Sequence, residues 1–132
     1  RQMCIRDSAW IEEVMGGRHA GLAPFSIEAL DAYRAAMRLP GTAHAMCEDY
    51  RAANTIDLDH DRIDRNADHR IRCPLRVLWG KHGVIEKLFD PMAMWRACAR
   101  DISGRALPCG HYLPEECPDD VIREALAFFN AD

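Results

Sequence analysis

Apolar residues recur at three- and four-residue steps through the first half of the chain, and in short unbroken runs through the second. Ala9 to Met15 reads as the end of a helix, closed by Gly16 and Gly17. Ser26 is placed to cap a second helix over Ile27 to Met37, with Ile27, Leu30, Tyr33 (or Arg34) and Met37 along its apolar side. Leu39-Pro40-Gly41 stops that helix. Thr42 can cap a third through about Ala53, with Ala43, Met46, Cys47 and Tyr50 on one face. Asp57 can cap a fourth, polar helix through about Ala67. No convincing strand interrupts this stretch, so residues 8–70 are expected to form a helical layer.

From Ile71 the pattern changes. Cys73 to Gly80 enters on Pro74, runs through the β-prone Leu75-Arg76-Val77-Leu78-Trp79 and leaves on glycine. Asp90-Pro91 combines an N-cap with proline at the first helical position, predicting a helix from Met92 to about Ala99. Ser103 to Leu107 is a second strand. Cys117-Pro118-Asp119-Asp120 opens a final helix, with acids where the helix dipole favours them and Val121, Ile122, Ala125, Leu126 and Phe129 as its apolar face. Strand, helix, strand, helix implies a parallel pair joined by a right-handed crossover. Two parallel strands cannot cover both of their own faces, so this half needs partners beyond itself.

Composition narrows the function classes. The chain has 132 residues, 48% hydrophobic and 29% charged, which suits one modest core. A net charge of −4 with scattered Lys and Arg offers no field for nucleic acid. No apolar run approaches the roughly 18 residues of a membrane span, and no secretory leader opens the chain. A cytoplasmic location is expected. Arg1 to Ser8 has no clear periodicity and carries no functional reading. The six cysteines form no C-x-x-C pair. Cys109, His111 and Cys117 make at most three ligands without a fourth, so buried reduced thiols are expected rather than a metal site or disulfides.

The chemistry concentrates in Gly110-His111-Tyr112-Leu113-Pro114-Glu115-Glu116, between the second strand and the final helix. A histidine on a glycine-initiated loop at a sheet edge can point into a cleft. Imidazole is the side chain suited to take and return a proton near neutrality. No nucleophile elbow precedes it in this chain. After Trp79-Gly80, where many α/β hydrolases place an acid within two or three residues, no carboxylate occurs until Glu86. The expected fold class is α/β, the C-terminal part of an α/β-hydrolase fold. It comprises a helical cap (lid) segment, residues 8–70, then the last two parallel strands and their helices, residues 71–132.

Three runs carry a resemblance: His44-Ala45-Met46-Cys47-Glu48-Asp49-Tyr50-Arg51-Ala52, Pro74 to Gly80, and Arg105 to Glu116. Together they resemble the haloacetate dehalogenases of the α/β-hydrolase superfamily, fluoroacetate dehalogenases among them, and the resemblance extends from Trp10 to Phe129. It implies hydrolytic dehalogenation of a small haloacid. An aspartate displaces halide, and a histidine activates the water that hydrolyses the resulting ester. His111 matches that histidine and Tyr50 a cap tyrosine that hydrogen-bonds the departing halide. The nucleophile, the orienting acid and the arginines holding the substrate carboxylate have no counterpart here. The resemblance implies no cofactor and no metal, a haloacid as the small-molecule partner, and a homodimer as a candidate assembly. An epoxide hydrolase using the same Asp–His chemistry is the nearest alternative; a non-catalytic interaction fragment is the alternative from another class.

Overall fold

The computed structural model describes residues 2–131, with side chains from residue 9 onward. Four helices come first: α1 (Gln2–Gly16), α2 (Ile27–Met37), α3 (Thr42–Ala53) and α4 (Ile56–Asn66). Then follow β1 (Leu75–Gly80), α5 (Val84–Leu88), α6 (Pro91–Arg96), β2 (Ile102–Leu107), α7 (Leu113–Glu116) and α8 (Pro118–Phe129). The segment at the chain start that lacks apolar periodicity belongs to α1, which begins at Gln2.

β1 and β2 pair in parallel, in register from Leu75 opposite Ile102 to Gly80 opposite Leu107. An isolated parallel bridge between Ile71 and Ala99 extends the pairing upstream. Gly80 is required where β1 ends. A Cβ built there would lie 1.6 Å from the Gly110 carbonyl oxygen, so only glycine lets the strand end meet the loop that follows β2. The same contact is fixed by Lys81 N–H donating to the Leu107 carbonyl and His82 N–H donating to that of Cys109, both at 2.9 Å.

Two of the predicted caps hold. Ser26 accepts from Ala29 N–H at 3.1 Å and Asp90 from Ala93 N–H at 2.9 Å. Two do not. α3 is capped by Gly41 in the left-handed region, and Thr42 lies inside the helix, its hydroxyl donating to the Ala36 carbonyl at 3.0 Å. α4 starts one residue before Asp57, with Thr55 at the cap; the Thr55 hydroxyl donates backward to Arg51. α6 stops at Arg96, and Ala99 is buried in the bridge rather than on a helix face.

The helical layer has a small core of Ile11, Met15 and Phe25, with Leu22, Leu30, Met37 and Tyr112 packed against it. Neither α3 nor α4 buries a residue. Of the predicted α3 face, Ala43, Cys47 and Tyr50 are exposed, as is Ile27 of α2. In α8 the inward face is rotated from the expected one. Glu124 is buried, with Val121, Ala125 and Phe128 half-buried, while Ile122, Leu126 and Phe129 are exposed. A charge cluster decides that rotation. Arg76 of β1 and Arg105 of β2 both hold the Glu124 carboxylate, Arg76 Nε at 2.9 Å and Arg105 Nε at 2.6 Å. These two guanidinium groups, Arg76 first, lower the Glu124 pKa below the usual carboxyl value. Among the described cysteines all are unpaired, but only Cys109 is buried; Cys98 and Cys117 are half-buried, Cys47 and Cys73 exposed. Cys4 lies outside the described side chains. No described helix is long and apolar enough to cross a membrane.

Candidate active site

β2 delivers its C-terminal end, Leu107, fully buried, and the buried Cys109 anchors the next turn. Desolvation, with a hydrogen bond to Cys117, pushes the Cys109 thiol up to about 12, so it remains a thiol and packs as a small apolar group. The chain then turns at Gly110. A Cβ there would sit 2.4 Å from His19 Cβ and 2.9 Å from both carboxylate oxygens of Glu116. His111 follows, exposed, on the wall of a cavity of about 180 Å³ shared with Leu78, Trp79, Gly80, Gly83, Ile85 and Leu113. An imidazole on such a wall can exchange a proton with a molecule held in the cavity.

Aromatic rings support the histidine from the helical layer. The His111 and Tyr112 rings meet edge-on at 4.9 Å, Tyr112 and Phe25 at 5.3 Å, and Phe25 and Tyr33 at 6.2 Å. Edge-to-face packing at these separations is favourable. Tyr33 on α2 closes the connection by donating to Glu115 Oε1 at 2.6 Å, and that bond raises the phenol pKa above its ordinary value. His19, in the loop after α1, stacks on His82 at 4.8 Å. Two segments distant in sequence therefore meet around the Gly110–Glu116 turn.

Tyr50 stands apart. It is 73% exposed on α3, its hydroxyl has no hydrogen-bond partner among the described residues, and no described contact joins it to His111. Nor does any described carboxylate hydrogen-bond to the His111 ring. Glu86 is taken up by the Trp79 indole N–H. Sequence reasoning missed the roles of Tyr33, Phe25, Glu115 and Glu116. The capping-box position, three residues after the Tyr112 cap, is Glu115, whereas the carboxylate that reaches back to backbone N–H groups is that of Glu116, so no residue pattern pointed to it. A larger cavity, about 490 Å³, opens between α4 and α6 beside Asp61, Arg65, His69 and Trp95. It shares no lining residue with the His111 cavity.

Known proteins agree with this architecture. A solved structure of a candidate α/β hydrolase from Nostoc sp. PCC 7120 superposes on 99% of the chain with a TM-score of 0.91 and 37% identity, the match covering 44% of that protein. The chain is a member of the α/β-hydrolase superfamily. A fluoroacetate dehalogenase from Burkholderia sp. is 34% identical to this chain over 119 residues, 89% of the chain and 38% of that enzyme. A soluble epoxide hydrolase from Corynebacterium sp. (strain C12) is 32% identical over 106 residues, 80% of the chain and 35% of that enzyme. The chain thus spans little more than a third of either curated relative. A candidate epoxide hydrolase from Pseudomonas aeruginosa superposes on 92% of it with a TM-score of 0.79 and 37% identity, over 39% of that structure. No protein-family model matches the chain.

Proposed function

We propose that this chain supplies the general base and a halide-binding donor of a hydrolytic haloacetate dehalogenase. In this reading residues 8–70 are the cap and residues 71–132 the end of the catalytic core. An aspartate outside the chain attacks the halogen-bearing carbon; a C–O bond forms and halide leaves with the C–X electron pair. His111 then takes a proton from water as that water adds to the ester carbonyl. Cleavage of the acyl–oxygen bond releases the hydroxyacid and restores the aspartate. Tyr50 donates to the departing halide, where charge develops and a fixed donor is most effective.

One observation carries the reading. The exposed imidazole at the end of β2, on the wall of a cavity beside the cap, falls in the stretch that is 34% identical to a fluoroacetate dehalogenase. The unpartnered Tyr50 hydroxyl supports a donor role, since a phenol 73% exposed is not there for core packing. Epoxide hydrolysis is the second reading, favoured by the 32% identity to a soluble epoxide hydrolase; Tyr50 would then polarise the epoxide oxygen. The full-length protein, given fluoroacetate, chloroacetate and a terminal epoxide in parallel, separates the two. Halide release with conversion to the hydroxyacid is expected, and diol formation without halide release would move the assignment to the epoxide reading.

A further inference from the structure

We propose that Glu116 is the positioning residue for His111. Its carboxylate spans the histidine: Oε2 accepts from Gly110 N–H at 2.6 Å and Oε1 from Tyr112 N–H at 3.0 Å. The bond to Tyr112, the residue capping α7, resembles an ordinary helix cap. The bond to Gly110 has no such explanation, because it lies on the far side of His111 and outside the helix. Together they clamp the backbone before and after one residue.

The need for a clamp follows from Gly110. That position must be glycine, since a Cβ would collide with His19 and crowd both Glu116 oxygens. Glycine is also the residue whose backbone is least restrained. A catalytic histidine placed directly after it would inherit that freedom, and misplacement of about 1 Å can cost about 100-fold in rate. The half-buried Glu116 removes the freedom with two bonds of the charge-assisted kind, which are stronger than neutral ones. Glu115, its neighbour, ties the same turn to Tyr33 of α2.

The inference rests on His111 being the base, so its test has two independent arms in the full-length protein. In single-turnover reactions with chloroacetate, Glu116→Gln should form the ester and release the first equivalent of halide at the unmodified rate. Ester hydrolysis should slow about 10- to 100-fold, because only that step uses His111. Equal slowing of both steps would mark a structural role and overturn the proposal. The second arm needs no reaction. Imidazole ¹H–¹⁵N spectra of Glu116→Gln should show the His111 signals shifted or split, with those of His44, His60 and His69 unmoved; an unchanged His111 signal overturns the proposal. A wild-type protein that releases no halide sinks the reaction assigned above and leaves the spectra to decide Glu116. If Glu116→Gln does not fold, Glu116→Asp retains the charge but withdraws it by one methylene, out of reach of one N–H. Ester hydrolysis slower than in the wild type, with halide release unslowed, is expected, and wild-type hydrolysis with an unmoved His111 signal overturns the proposal.

Discussion

The His111 side chain is exposed on the cavity wall, its ring edge-on to that of Tyr112, so its replacement should change chemistry far more than folding. In the proposed reaction the aspartate is ionised near neutrality and needs no base to displace halide; proton removal enters only with water. His111→Ala should therefore accumulate the alkyl–enzyme ester. Intact-protein mass spectrometry after chloroacetate addition reads the adduct, and an unmodified variant that has released no halide would contradict the assignment. Tyr50→Phe should leave the melting temperature unchanged, because the ring is exposed. It should slow fluoride release more than chloride release, by up to roughly 10²–10³-fold, the usual ceiling for one donor to a developing anion. Equal slowing of the two halides would remove Tyr50 from the halide site. The place of His111, on the loop between β2 and α7, was legible in the sequence because glycine, strand end and helix start bracket it within a few positions. Glu116 was quoted in the same motif without a role, since a carboxylate that binds backbone leaves no mark of its partner in a residue pattern.

Helices and strands were legible in proportion to how local their determinants are. Ser26 and Asp90 cap through their own side chains, and both caps are where the sequence puts them. Gly41 caps through backbone shape, and Thr42 beside it looked the better candidate. α5 and α7, of five and four residues, are too short to show a period. The face of α8 was misread because apolar periodicity names Ile122, Leu126 and Phe129, whereas Glu124 turns inward to two arginines that sit on separate strands. That triad has a pH signature. Its carboxyl pKa is lowered in the folded chain, so the native state binds fewer protons than the unfolded one. The triad's contribution is present above the ordinary carboxyl value of about 4.3 and is lost as pH falls through the lower folded value. Glu124→Gln should lower the melting temperature at pH 7 and flatten its decline between pH 5 and pH 2. A wild-type-shaped profile in the variant would show that other carboxyls set the acid limit.

At the scale of the molecule, two half-covered strands and an outward apolar face on α8 account for an architecture that its superfamily relatives more than double in length. Ile122, Leu126 and Phe129 are 55%, 57% and 79% exposed, a patch of the kind that marks an interaction surface. The proposed nucleophile and orienting acid have no counterpart among the described residues. The 132-residue chain alone should therefore give no halide release above background from chloroacetate, and His111-dependent release would refute this. The buried thiol at the root of the histidine loop offers a way to time how the molecule breathes. Cys47 and Cys73 are open to solvent, whereas Cys109 is 2% exposed and held protonated. A thiol reagent should consume the first two at once and reach Cys109 only when the end of β2 lifts away. Mass-resolved alkylation of Cys109 is thus a stopwatch on the opening of that loop. Glu116→Gln should make it run faster, even in a preparation with no substrate to turn over.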